Sequence, residues 1–191
     1  CFEQPARRDS ATVFRLAFRV TTRAQYFDPE ELSKRVEPYD TLSEVYRKYT
    51  AQRPPHLVFS ERIERKAREL AGGETDPVRI VSRIYDWIDD IPWAGAIEYG
   101  VIPNIPEYVL DAGHGDCGQV SLLLIAMLRS VGIPARWESA WMLHPGHVGL
   151  HDWGSVYYEG VGWVPLDISF GKLAASADPA VRDFYKTGMD S

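Results

Sequence analysis

The sequence predicts an α+β fold, in which helices come first along the chain and antiparallel strands come last. Apolar residues follow helical spacing in the first two thirds of the chain, whereas aromatic and β-branched residues dominate the runs after Gly132. Such a separation of helices from strands is typical of α+β proteins. The length of 191 residues and the hydrophobic content of 45% suit one domain with a sizeable core. We therefore expect a single domain over 1–191, with its core at about 60–170.

Composition excludes several classes of partner. The net charge is -6 and the sequence has no basic run, which argues against nucleic acid or an anionic membrane surface. No apolar run approaches the roughly 18 residues of a membrane-spanning helix. The two cysteines, Cys1 and Cys117, cannot form a disulfide scaffold. A lipid-modified cysteine left by signal cleavage would give a start at Cys1, and so would an excised domain. The first alternative favours the bacterial cell envelope or secretion; both stay open.

The N-terminal region, 11–50, predicts one strand and two helices. Over 11–22, apolar residues alternate with mostly polar ones, which indicates a half-buried strand. Asp28-Pro29 is typical of a helix cap followed by the first helical residue. A second short helix is expected from Leu42 to Tyr49.

Two amphipathic helices and a long loop follow. Ser60 caps the first helix, which Gly72-Gly73 ends. Asp76-Pro77 opens the second, which Pro92 ends. The segment 93–116 is rich in Gly and Pro and has no clear periodicity, so we predict a long loop, of a length more often functional than idle.

The helix that begins at Cys117 is predicted to be the buried centre of the fold. It is apolar on nearly every side from Val120 to Leu128, and Gly132 is its expected end. The runs RWESAWML, DWGSVYY and WVPLDISF come after it, separated by loops that hold Gly, Pro and His. They predict an antiparallel meander of strands.

A thiol at the start of that helix suggests nucleophilic chemistry. The positive end of the helix dipole and the unpaired N–H groups there favour the thiolate form. A nucleophilic Cys117 then needs a base and a group that orients the base, and His151 and Asp167 are the natural candidates. Asp152 competes with Asp167 as orienting group, but adjacent strand residues point to opposite faces, so we expect it to face away from His151.

Strand register tests this assignment. A three-residue turn at 159–161 would pair Tyr158 with Gly162, and His151 would then lie diagonal to Asp167 on the same face of the sheet. A two-residue turn would put them on opposite faces. The assignment therefore requires the longer turn or a bulge, with a left-handed residue at a glycine of that turn.

The motifs GDCGQVSLLLIAMLRSVGIPAR, HDW and GWVPLD, in this order, resemble the core of the transglutaminase-like superfamily. The resemblance extends from Gly113 to Phe170, about 60 of the 191 residues. It implies a papain-like site with Cys117 as nucleophile, His151 as base and Asp167 as orienting group. Because similar bacterial proteins continue with further strands, it also suggests that the chain is a piece of a longer protein.

Further residues are predicted to line the site. Trp93 and Tyr99 in the long loop are candidates for stabilising the oxyanion, beside the backbone N–H of Cys117. Gly118 would let the substrate backbone approach closely, and Trp153 is a candidate for the cleft wall.

The sequence thus predicts a cysteine-dependent enzyme that acts on an amide bond of a peptide or protein, most often by hydrolysis and without a cofactor. A crosslinking transglutaminase is the first alternative. A non-catalytic binding module that keeps the fold is an alternative of another class. A third reading is a zinc site, for which the candidate ligands are His144, His147, His151 and Asp152, with His114 nearby.

Overall fold

The computed structural model describes residues 3–6, 8–95, 97–144, 147–175 and 178–190, and the side chains of 143–144, 147 and 172–175 are outside this description. Cys1, the candidate lipid attachment point, lies outside the described residues. In the part of the chain that is described, no helix is long and apolar enough to cross a membrane.

The structure is a mixed α+β fold, as the sequence predicts. Its elements in chain order are β1 (Gln25–Tyr26), α1 (Pro29–Arg35), α2 (Glu44–Tyr49), α3 (Glu61–Ala71), α4 (Pro77–Asp89), a 3-10 turn (Tyr99–Val101), α5 (Ile105–Ala112), α6 (Cys117–Ser130), β2 (Ala135–His144), β3 (His147–Tyr158), β4 (Gly162–Leu166), α7 (Ile168–Ala175), α8 (Pro179–Phe184) and β5 (Gly188–Met189).

The predicted strand over 11–22 is wrong. All of these residues are described and none belongs to a strand. Phe14, Leu16, Phe18 and Val20 are each more than half exposed. The alternation of apolar and polar residues indicates an apolar face. A strand also needs a neighbouring strand with which its backbone can form hydrogen bonds. The short strand β1 comes later and pairs antiparallel with β5.

The predicted helix starts are confirmed by their caps. The Asp28 carboxylate accepts hydrogen bonds from the backbone N–H groups of Glu30 and Glu31, at the start of α1. Ser60 caps α3 and Asp76 caps α4 in the same manner. These caps satisfy N–H groups that have no partner inside the helix, which is why the starts could be read from sequence.

The segment 93–116 is not a continuous loop, which corrects the prediction. It contains the 3-10 turn and the two-turn helix α5, whose residues Ile105, Pro106 and Val109 are buried. Helix α5 packs against α6. Two turns are too short for a helical period to stand out in sequence, and the prolines at 103 and 106 mask it further.

Helix α6 is the central element. Residues 123–128 are all almost completely buried. The helix packs against α3, α4 and α5 on one side and against β2 and β3 on the other. Its first turn therefore stands at the junction of the helical layer and the sheet.

The three long strands form an antiparallel sheet in the order β2-β3-β4. Tyr158 pairs with Gly162, which is the predicted register, and Gly160 and Gly162 have φ angles of 78° and 104°. Pairing ends at Gly154 and Leu166, and the next residues turn into α7. The predicted strand continuation over 168–170 is therefore wrong: a carboxylate at Asp167 caps a helix there instead.

Candidate active site

Cys117 is the first residue of α6, and local hydrogen bonds fix it there. The Asp116 carboxylate accepts from the Gln119 backbone N–H, and the Gln119 side chain accepts from the Asp116 N–H. This reciprocal capping box determines where the helix begins. Cys117 is half-buried and has no disulfide partner among the described residues.

His151 and Asp167 form a buried hydrogen-bonded pair. The His151 Nε2 atom lies 2.5 Å from Asp167 Oδ2. His151 is 8% exposed and Asp167 is fully buried. Because Nε2 is held by the carboxylate, Nδ1 is the ring nitrogen left to interact with Cys117, a neighbour that raises the pKa of His151.

The Asp167 side chain has two functions at once. Its Oδ1 atom accepts from the backbone N–H groups of Ser169 at 2.8 Å and Phe170 at 2.9 Å, which caps α7. The backbone of Asp167 is held as well, because its carbonyl accepts a 2.7 Å hydrogen bond from the hydroxyl of Tyr85 on α4. With Oδ1 anchored in this way, Oδ2 is held in a fixed direction toward the imidazole.

The charged form of His151 is strongly favoured. Burial by itself lowers the pKa of His151, but hydrogen bonds to Asp167 and Cys117, together with the charges of these two groups, raise it to about 10. The imidazole is therefore expected to be protonated at neutral pH. A charged imidazole of this kind can donate a proton.

Asp152 lies closer to the site than predicted. It follows His151 on β3 and its side chain points to the other face, as alternation requires. That face contacts the start of α6, so the Asp152 carboxylate Oδ2 lies 3.9 Å from Cys117 Sγ. Burial, followed by the charge of Asp116, raises the pKa of Asp152, whereas a hydrogen bond from Ser139 and the neighbouring His151 lower it.

Tyr99 also lies beside the first turn of α6, whereas Trp93 turns outward. The Tyr99 hydroxyl donates to Asp116 Oδ1 at 2.5 Å, and burial and this carboxylate raise the pKa of Tyr99 well above its usual range. A Cβ atom on Gly118 would collide with the Tyr99 hydroxyl and would lie 2.6 Å from Asp152 Oδ2. A larger residue at 118 would therefore displace the Tyr99 and Asp152 side chains. Trp93 is 54% exposed and is tied to Gly115 through its backbone.

An aromatic cleft borders His151. The Phe170 ring stacks on the imidazole with a centroid distance of 4.2 Å, and Trp153 stacks at 6.0 Å. These two rings and Trp141 of β2 line a largely apolar cleft of about 560 Å³. Phe170 was missed by the sequence reasoning, because it stands one helical turn after Asp167 and the segment was expected to be a strand.

The proposed zinc site can be checked only at the side chains that the structure describes. There, no three His, Cys, Asp or Glu side chains are grouped so that they could hold a metal ion. His114 packs edge-on against Tyr108 at 6.3 Å. The side chains of His144 and His147 lie outside the described residues.

Several known proteins are similar to this chain in sequence or in fold. YebA of Bacillus subtilis (strain 168), an uncharacterized protein, is 22% identical over 130 residues, which are 58% of this chain and 18% of YebA. A candidate cysteine protease from Cytophaga hutchinsonii is similar in structure, with a TM-score of 0.61, 18% identity, and coverage of 76% of this chain and 48% of that chain. The periplasmic domain of TgpA from Pseudomonas aeruginosa has a TM-score of 0.52 and 22% identity, with coverage of 71% and 50%.

The chain thus spans about half the length of these solved chains and less than a fifth of YebA. Residues 64–168, more than half of the chain, match the family model described as Transglutaminase-like superfamily. This range contains α4, α6 and all three strands of the main sheet, together with Cys117, His151 and Asp167. The chain belongs to the transglutaminase-like superfamily.

Proposed function

We propose that the chain is a cysteine-dependent acyl-transfer enzyme that cleaves an amide bond of a peptide or protein and passes the acyl group mainly to water. The observation that carries this proposal is the buried His151–Asp167 pair, with a 2.5 Å hydrogen bond, beside a half-buried thiol at the start of α6. A nucleophile, a base and a fixed orienting carboxylate are the parts that covalent acyl transfer requires.

The proposed reaction has two stages. In the first, the Cys117 thiolate attacks the amide carbonyl carbon and forms a C–S bond. The His151 imidazolium gives its Nδ1 proton to the amide nitrogen, the C–N bond breaks and the amine leaves. In the second, neutral His151 takes a proton from water, whose oxygen attacks the thioester. The C–S bond then breaks, which restores the thiolate and the imidazolium and releases a carboxylic acid.

The developing oxyanion has two candidate donors. The backbone N–H of Cys117 belongs to the first turn of α6, where N–H groups have no partner inside the helix. The Tyr99 hydroxyl stands over Gly118 and is kept neutral by burial, so it would turn from Asp116 to donate to the oxyanion. Of the two, the backbone N–H is fixed before the reaction, so it can stabilise the charge as it appears.

Hydrolysis is favoured over crosslinking by the hairpin next to the base. Val148 and Leu150, which lead along β3 to His151, are largely exposed, so water reaches this part of β3. Water is present at about 55 M, and an amine can compete only if a site orients it and keeps water out.

The product ratio tests this preference. Given an activated acyl thioester and a lysine-like amine at millimolar concentration, the enzyme should release mostly the free acid, measured by mass spectrometry against the amide adduct. The Cys117→Ala variant, as the control, should form neither product above background. Predominant adduct would reassign the enzyme as a transferase, and no acyl-enzyme with any donor would favour the binding-module alternative.

The two carboxylates near the site should affect thiol reactivity in opposite directions. Iodoacetamide at pH 6 should label Cys117 about tenfold or more faster than free cysteine, since the imidazolium stabilises the thiolate. At pH 7, Asp167→Asn should slow this labelling, because it weakens the imidazolium. Asp152→Asn should accelerate it, because it removes a negative charge 3.9 Å from the sulfur.

Labelling rates are measured by peptide mass spectrometry, with Cys117→Ala to subtract reaction at Cys1. If Asp152→Asn slows the reaction and Asp167→Asn does not, then Asp152 is the orienting carboxylate and the assignment of Asp167 is wrong. If Cys117 reacts no faster than free cysteine, the thiolate claim fails.

A further inference from the structure

The cleft beside His151 has features of a substrate subsite. It is bounded by Trp141 and Met142 of β2, by Trp153 and Phe170, and by Val20 of the N-terminal segment, and it contains about 560 Å³. His151 lines it, whereas Cys117 is not among the described residues that do. The cleft therefore extends away from the nucleophile, on the side of the base.

In the proposed mechanism, the amine half of the substrate lies on the His151 side of the site. The acyl group stays on Cys117, while the departing amine receives its proton from His151 and so must lie next to the imidazole. We propose that the cleft binds an apolar, preferably aromatic, side chain on the amine side of the scissile bond. This inference rests on the proposed acyl-transfer function and names the substrate class that it acts on.

The ring arrangement supports an aromatic occupant. Trp141 is 60% exposed, so much of its ring area is available for contact with a ligand. Phe18 approaches the same ring with a centroid distance of 6.5 Å and an interplanar angle of 55°. Aromatic pairs prefer such tilted or offset arrangements. An aromatic ring of the substrate could pack against the cleft rings in the same way.

The charged residues at the rim of the cleft favour neither a cationic nor an anionic occupant. Arg23 and Asp190 are the charged groups at its rim and have opposite signs, so they give it no net charge. Asp190 is already engaged by the Tyr185 hydroxyl.

A series of substrates with one acyl group and different amine components tests the proposal. The amine components are Phe-amide, Leu-amide, Gly-amide, Asp-amide and Lys-amide, and kcat/KM is measured for each. We expect Phe-amide to exceed Gly-amide by about tenfold to 100-fold, with Leu-amide between them and the charged residues lowest.

Two tryptophan variants localise the effect. Trp141→Ala should reduce the Phe/Gly ratio to near one. Trp137→Ala is the matched control, because Trp137 lies four residues earlier on the same face of β2, is 42% exposed and does not line the cleft. The Trp137→Ala variant should keep the wild-type ratio. Equal loss in both variants, or a wild-type Phe/Gly ratio near one, overturns the proposal.

A thioester with a small alkyl leaving group separates this inference from the function on which it rests. No Cys117-dependent turnover of the thioester would mean that the acyl-transfer function itself is wrong. Thioester turnover without preference among the amine components would refute only the subsite. If Trp141→Ala instead changes selectivity among different acyl groups, the cleft holds the acyl side and the proposal is likewise overturned.

Discussion

Replacing His151 by alanine is expected to lower kcat/KM for amide hydrolysis by about 10⁴-fold or more, which is the largest effect of any single substitution outside Cys117. The reason is that one imidazole performs both proton transfers of the proposed mechanism. It also provides the positive charge that stabilises the Cys117 thiolate. Steady-state hydrolysis of a chromogenic amide measures the loss, and the rate of Cys117 alkylation should fall in parallel.

The control variants are His144→Ala and His147→Ala, which change the histidines nearest in sequence and should retain most of the activity. Metal analysis of the purified proteins accompanies these measurements. Stoichiometric zinc in the wild type, lost with each of the three substitutions, would contradict the thiol mechanism and support a metal site.

Replacing Asp167 by asparagine is expected to lower kcat/KM by about 10³-fold to 10⁴-fold. Asparagine keeps the shape of the side chain and removes the charge that stabilises the imidazolium. It also presents an amide N–H to the imidazole if its oxygen keeps the α7 cap, which favours the wrong ring tautomer. The loss should appear in kcat more than in KM, because Asp167 is buried behind His151 and does not touch the substrate.

The pH profile distinguishes this explanation from loss of structure. In the wild type the pKa of His151 is about 10, because hydrogen bonds and charges from Asp167 and Cys117 outweigh the lowering effect of burial. The imidazolium is lost as pH rises through that value, so activity should decline on the alkaline side near pH 10. Without the Asp167 charge the pKa of His151 falls, and the alkaline limb of the residual activity should move to lower pH.

Thermal unfolding provides a further check. Asparagine at 167 can still accept the N–H groups of Ser169 and Phe170, whereas alanine cannot. The melting temperature should therefore fall less in Asp167→Asn than in Asp167→Ala. If the alkaline limb is unshifted in an active, folded Asp167→Asn variant, a group other than Asp167 raises the pKa of His151.

Local chemistry explains what could be predicted from the sequence. Helix starts at Asp28, Ser60, Asp76 and Asp116 are determined by side chains that cap N–H groups a few residues away, so a short window of sequence contains the whole interaction. The turn at 159–161 likewise needs glycines with positive φ, and they are visible in the sequence. The order of the three motifs between Gly113 and Phe170 can likewise be read directly from the sequence, and it indicates the family.

The remaining features depend on residues that are distant in the chain. The alternation over 11–22 is a true apolar pattern, but whether it becomes a strand depends on a neighbouring backbone, and none pairs with it among the described residues. The orientation of Asp152 followed from strand alternation, yet its 3.9 Å approach to Cys117 depends on how α6 packs on β3. The cleft formed by Trp141, Trp153 and Phe170 joins two strands and a helix. The sequence by itself determined the family and the helix starts at Asp28, Ser60, Asp76 and Asp116, and it led to the proposal of three catalytic side chains. Only the tertiary structure decided what surrounds them, because burial and charge–charge distances arise from packing between elements that the local sequence does not encode.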